Sequence, residues 1–377
     1  MDETEQSARE GCYRPAVFSL EKYVAGFTTE QVRRELGLDD VVKLASNENA
    51  WGPSPRALEA IVAELHNLWQ YPEQSFFDLK EAIARAHDVS AENVFVGHGS
   101  EVIIQLIPQL FCDPGDEAIV ADITFGRYAE ACKLMQAKLV TVPLRDFHYD
   151  LAAVRAAVTP RTKLIWLCSP NNPTGTVAPA AAVRELVDSL PPAVTLVLDQ
   201  AYQEFAEDPM AVDGLELLRE GRENVIVLRT FSKAYGLAGM RLGYALVSPR
   251  VCSLLDTIKE PFNVNRLSIV AGPAALADRE WMLACVAKTI EGREFLTRSL
   301  SRLGFGVVPS QANFVLVDVR EDGEELWRRL LRRGVIVRPA AGWGLDEYVR
   351  VTVGTREQNE RFLEALQRES RALAGEA

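Results

Sequence analysis

The chain has 377 residues, 48% hydrophobic and 25% charged, with 41 Lys and Arg against 53 Asp and Glu. At roughly 150 residues per domain this length suggests two domains, and the composition is that of a soluble globular protein. A net charge of −12 argues against nucleic acid or an anionic membrane as partner, because both recruit basic surfaces. A locally basic pocket for a small anion stays compatible with it.

The opening segment, MDETEQSARE, is acidic and polar, unlike a signal peptide. No apolar run nears the ~20 residues needed to span a bilayer. Residues 1–42 read as an N-terminal arm that packs with the second domain. From about Arg56 onward, helical periods alternate with short β-branched runs. RALEAIVAELHNLW places Leu58, Ile61, Val62, Leu65 and Leu68 on one helical face. Strand candidates follow at NVFVG, EAIVAD, KLVTVPL, TKLIWLCS, VTLVLD, NVIVLRTF and RLGYALV, most of them separated by helical segments. Several are apolar throughout, as strands are when helices cover both faces of a sheet. The alternation predicts an α/β large domain over 43–270 with a mainly parallel seven-stranded sheet. After about Pro249 the texture changes, and 271–377 reads as a small α+β domain.

Cys12, Cys112, Cys132, Cys168, Cys252 and Cys285 are scattered without a CxxC pair, which reads as reduced thiols in a cytoplasmic protein. The four histidines show no HExxH-like spacing, so no protein-held metal is expected.

Ligands of open α/β sheets bind beyond the carboxyl ends of the strands. There the sequence places GHGS after VFV, ITFGRY after EAIVAD, SPNNPTG after KLIWLC, DQAY after VTLVL and RTFSK after NVIVL. Each has an ordinary explanation by itself: an Asp after a strand caps a helix, and Asn, Pro and Gly make turns. GHGS alone is a weak phosphate signal. Five strand ends carrying such residues in this order make a site. Lys233, inside RTFSKAYGLAGMRLGY, sharpens the point, since a lysine entering an apolar region must be paired or bonded.

This order resembles the fold-type I pyridoxal-phosphate (PLP) aminotransferases of class I/II, and among them the histidinol-phosphate aminotransferases most. The similarity runs over nearly the whole chain through EKYVAGF, KLASNENAWGPSP, YPE, SPNNPTG, RTFSKAYGLAGMRLGY, QANFVLV, VIVRP and VRVTVG. It implies the PLP-transferase fold and that Lys233 bonds to the PLP aldehyde and then moves the substrate proton. Asp199 would keep the pyridine nitrogen protonated, Asn172 and Tyr202 would meet the ring hydroxyl, and Phe125 would stack on the ring. Gly99, Ser100, Glu101, Thr230, Ser232 and Arg241 match the phosphate end of the cofactor site. Arg350 matches the arginine that grips a carboxylate, and Arg338 one that helps bind the substrate anion. Tyr23, Asn47 and Tyr71 match the substrate end. The YPE tyrosine of the family crosses from a partner subunit, which implies a homodimer.

The chain departs from the family at GHGSEV, where GNGSDE is usual, placing His98, Glu101 and Val102 at three positions. Ile123 stands where the family has proline, and Arg127 where it often has methionine. The reaction the resemblance implies first is transamination between histidinol phosphate and 2-oxoglutarate, with glutamate as the other amino acid. An aromatic or broad-range aminotransferase shares nearly every motif, and a lyase resembling threonine-phosphate decarboxylase is also open. Non-enzymatic regulators on this scaffold carry a DNA-binding extension, and neither end offers a basic helix-turn-helix.

Overall fold

A computed structural model describes residues 12–20, 22 and 26–373. Val42–Lys43 (β1) pairs in parallel with a strand near the other end of the chain, described below. The central sheet takes Val94–His98 (β2), Glu117–Ala121 (β3), Lys138–Val142 (β4), Thr162–Cys168 (β5), Thr195–Asp199 (β6), Val225–Thr230 (β7) and Leu242–Leu246 (β8). Its order is β2-β8-β7-β6-β5-β3-β4. All seven expected strands are present in one sheet. Every neighbouring pair is parallel except those made by β8, which runs antiparallel to both β2 and β7. The reason is local. No α-helical crossover separates β7 from β8, only the FSKAYGLAGMR connection, so the chain comes straight back.

The strand side chains alternate between two cores. Ile165 and Leu167 of β5 join Leu196, Leu198, Val225 and Val227 on one face. Leu164, Trp166 and Cys168 join Val197, Ile226 and Leu228 on the other. A sheet with helices on both faces buries both sides, which is why these runs are apolar without interruption.

Glycines permit the close approaches this packing needs. A Cβ on Gly243 of β8 would lie 2.2 Å from the Ser100 amide nitrogen and 2.6 Å from the Gly99 carbonyl carbon. That contact seats the start of the helix Gly99–Phe111 directly on β8.

The helix Arg266–Ala277 packs on the helices Pro55–Glu64 and Phe77–His87. The long helix Arg279–Arg302 then leads to Gly306–Val308 (β9), Phe314–Asp318 (β10), Val335–Ile336 (β11), Arg338–Pro339 (β12) and Tyr348–Thr352 (β13). Four of these form an antiparallel sheet of order β12-β13-β10-β9. β11 is the strand that receives β1, through Val42↔Val335 and Lys43↔Ile336. A separate core beneath this sheet holds Leu296, Leu300, Val315, Val317, Leu326, Val349, Val351 and Phe362.

The face expected of RALEAIVAELHNLW behaves differently from these cores. Ile61 is partly buried, but Val62 is 63% exposed and Leu58, Leu65 and Leu68 are also open. Trp69 and Tyr71, a few residues further along the chain, are 80% and 79% exposed. Of the cysteines, Cys112, Cys132, Cys168, Cys252 and Cys285 are buried and Cys12 is exposed.

Candidate active site

The carboxyl ends of β2, β5, β6 and β7 open onto one cavity of about 700 Å³, closed on the far side by β12, β13 and the AAGWG loop. Its lining brings together Asn47, Gly99, Ser100, Glu101, Phe125, Asn172, Asp199, Tyr202, Thr230, Ser232, Lys233, Arg241, Arg338 and Arg350. Two expected residues are not among them. Tyr23 lies outside the described residues. Tyr71 is exposed, its ring stacked on Phe262 at 4.7 Å.

Lys233 follows β7 by three residues, and its Nζ donates to the Ser46 carbonyl at 3.1 Å. The side chain opens onto the cavity, so part of its surface is accessible, but it lies deep. Desolvation, and then the positive charge of Arg350, lower its pKa from 10.5 to about 7. A lysine so placed is an available nucleophile and base at neutral pH.

Asp199 ends β6 and is buried. Its Oδ2 accepts from the Tyr128 hydroxyl at 2.6 Å, and its Oδ1 from the Ala201 amide at 3.0 Å. Burial raises its pKa, against the pull of those two donors and of Lys233. The carboxylate is thus held in place, in a setting where a cationic ring nitrogen would be its natural partner.

The Tyr202 hydroxyl is 3.1 Å from Asn47 Nδ2 and 3.4 Å from Asn172 Nδ2. Both amides donate to it, which leaves its own proton to be given to an oxygen in the cavity. Asn47 is the residue of the SNEN segment with φ +56°, fixed by Thr352, whose hydroxyl donates to Asn47 Oδ1 and accepts from its amide.

At one end of the cavity the chain forms a cup. Gly99 has φ +74°, and a Cβ there would meet the Arg241 guanidinium at 2.9 Å. Arg241 thus lies across the start of the helix, beside its first amides, with Thr230 and Ser232 at the rim. Helix-start amides, hydroxyls and a planar guanidinium are the donor set for a phosphate dianion.

At the other end Arg338 and Arg350 are directly opposite one another across β12 and β13. Arg350 is buried; its Nη1 donates to Asn172 Oδ1 at 2.5 Å and its Nη2 to the Ala45 carbonyl at 2.7 Å. Its guanidinium carbon stands 5.3 Å from the Phe314 ring centre and 5.5 Å from that of Trp343. Two aromatic faces therefore hold the fork while its edge addresses the cavity.

Residues 39–366 match the sequence model of aminotransferase class I and II. The chain belongs to the class I and II aminotransferases. This aminotransferase is 44% identical over 353 residues to a histidinol-phosphate aminotransferase of Moorella thermoacetica, covering 94% of this chain and 92% of the relative. It is 46% identical over 356 residues to one of an Anaeromyxobacter species, covering 94% and 98%. Its fold superposes on the crystal structure of a histidinol-phosphate aminotransferase from Sinorhizobium meliloti in complex with pyridoxal-5′-phosphate. That TM-score is 0.86 at 30% identity, over 96% of this chain and 98% of that one.

Three features of the aminotransferase's site went unforeseen. Tyr128, which also stacks on Trp166 at 4.8 Å, supplies the bond to Asp199; its only sequence signal was an aromatic three places after Phe125. Trp343 was hidden in a glycine-rich loop, and Phe314 looked like an ordinary strand residue. His98 is exposed at the end of β2 and stays off the cavity lining.

Proposed function

We propose that this aminotransferase is pyridoxal-phosphate dependent and exchanges the amino group between histidinol phosphate and 2-oxoglutarate, as a step of histidine biosynthesis. One observation carries the reading: a lysine lowered to about pKa 7 shares a cavity with two arginines in register, Arg338 and Arg350. The full-length similarity to histidinol-phosphate aminotransferases supports the choice of substrate.

The cavity fits the coenzyme at both ends of its structure. The cup of Gly99, Ser100, Thr230, Ser232 and Arg241 would hold its phosphate, and Asp199 its ring nitrogen. Asn172 and Tyr202 would meet the ring hydroxyl, with Phe125 against the ring face. When bound, the coenzyme supplies an electron-withdrawing ring that accepts the electron pair left on the substrate α-carbon. Lys233 is the base for the α-proton, and its lowered pKa keeps a useful neutral fraction near pH 7. Arg338 and Arg350 grip the phosphate of histidinol phosphate in one half-reaction and a carboxylate of the dicarboxylic partner in the other, since both anions suit a guanidinium fork. Asn47 orients Tyr202 through its amide.

The reading includes a homodimer in which Tyr71 reaches the neighbouring site. In its support, six large apolar side chains within fourteen residues, Leu58, Val62, Leu65, Leu68, Trp69 and Tyr71, are all exposed, and large exposed apolar groups clustered together mark interaction surfaces. It also includes a division near residues 42 and 270 into arm, large domain and small domain, and a cytoplasmic setting. No helix among the described residues is long and apolar enough to cross a membrane.

The test is half-transamination. Holoprotein is mixed separately with histidinol phosphate, phenylalanine and threonine phosphate, and its visible absorption is followed. Histidinol phosphate should bleach the band, and 2-oxoglutarate should restore it. Efficient bleaching by phenylalanine alone would replace the substrate with an aromatic amino acid, and CO2 release from threonine phosphate would replace transfer with decarboxylation.

A further inference from the structure

Three charged side chains stand in a row at the cup end of the cavity. Glu101, the third residue of the helix Gly99–Phe111, has Oε1 2.9 Å from Arg127 Nε and Oε2 3.7 Å from Arg241 Nη2. Arg127 is paired on its other side with Glu130. All four residues line the cavity.

This arrangement poses a problem for an incoming phosphate. Arg241 is the guanidinium lying across Gly99, and Glu101 is a carboxylate attached to the same helix start. A carboxylate and a phosphate compete for the same face of a guanidinium fork. With Arg241 as its sole cationic neighbour, Glu101 would close on it and occupy the place of the ligand. Arg127 offers Glu101 a nearer partner.

We propose that Arg127 keeps the phosphate cup open by drawing Glu101 away from Arg241. Arg127 is thus a positioning residue, with its own charge already divided between Glu101 and Glu130. Arg127 and Arg241 balance Glu101 and Glu130, so the cup is neutral before the dianion enters. Without Arg127 the cup is net negative and repels it. Removing Glu101 as well returns the balance to zero and frees Arg241.

The inference rests on the coenzyme reading above, and its test separates the two. Equilibrium dialysis of apoprotein measures affinity for pyridoxal phosphate, with pyridoxal, which lacks the phosphate, as control. Arg127→Met should weaken pyridoxal phosphate binding about tenfold, the effect of losing one modest charge interaction at 1.4 kcal/mol per decade. Pyridoxal binding should stay unchanged. The double variant Arg127→Met/Glu101→Gln should return to within about threefold of the parent. Arg127→Lys, which keeps the charge, should lie between parent and Arg127→Met.

Unchanged affinity in Arg127→Met would overturn the proposal. So would a double variant as weak as Arg127→Met, because Arg127 would then be bonding the phosphate itself. A parent protein that binds no pyridoxal phosphate would instead overturn the coenzyme reading. Circular dichroism of each variant checks that the fold is intact; if Arg127→Met does not fold, Glu101→Gln alone decides, because it should tighten binding.

Discussion

The lowered pKa of Lys233 can be tested through the pH dependence of coenzyme capture by the apoprotein. Only the neutral amine attacks an aldehyde, so the capture rate follows the neutral fraction of Lys233. At an ordinary pKa of 10.5 about one amine in 3,000 is neutral at pH 7. With the pKa brought down to about 7, half is neutral, a gain of roughly a thousandfold. The sign follows from the causes: burial disfavours the ammonium, and the nearby Arg350 cation disfavours it further. Stopped-flow growth of the visible band, after mixing apoprotein with pyridoxal phosphate between pH 6 and 9.5, should show the rate rising with pH and flattening above about 7. A rate that keeps climbing about tenfold per pH unit to the top of that range would refute the reasoning, because it would assign Lys233 an unperturbed pKa.

Arg350→Lys keeps a positive charge but loses the fork held between Phe314 and Trp343 and its bonds to Asn172 and Ala45. Hydrogen bonds to a charged group are worth about 1.5–3 kcal/mol, so KM should rise about 10- to 100-fold for histidinol phosphate and for 2-oxoglutarate alike; steady-state kinetics with a rise for one substrate only would contradict a shared anion clamp. Tyr128→Phe removes the hydroxyl that donates to buried Asp199 Oδ2. It should destabilise the apoprotein by about 1.5–3 kcal/mol, read as a lower Tm, and an unchanged Tm would mean the bond carries no stability. Mixing inactive Lys233→Ala and Tyr71→Ala dimers under exchange conditions should regain about a quarter of parental activity, from statistical hybrids with one intact site. No recovery would place Tyr71 outside the neighbouring site.

Much of the large domain was legible because its signals are local. The seven strands are apolar runs between turn residues, and the sheet accounts for all of them. The strand-end polar residues were legible as a group because topology forces parallel strand ends to one edge, so Asn172, Asp199 and Lys233 meet without any need to know side-chain directions. The exposed face of Leu58, Val62, Leu65 and Leu68 shows the limit of periodicity. It reports that a stripe is apolar, and an apolar stripe left exposed looks the same in sequence as one facing its own core. Tyr128 and Trp343 were illegible for a different reason: their roles depend on contacts across long sequence separations, to Asp199 and to the Thr124 carbonyl, at 2.6 and 2.9 Å. The pairing of Arg127 with Glu101 likewise joins two helix starts that only the folded sheet brings together.

The proposed function requires one covalent bond, between pyridoxal phosphate and the amine of Lys233, which follows β7. Holoprotein reduced with borohydride, digested and mapped by mass spectrometry should carry the coenzyme on the peptide containing Lys233, and Lys233→Ala should carry none. Attachment at a different lysine, or no attachment in protein that still transfers the amino group of histidinol phosphate, would contradict it.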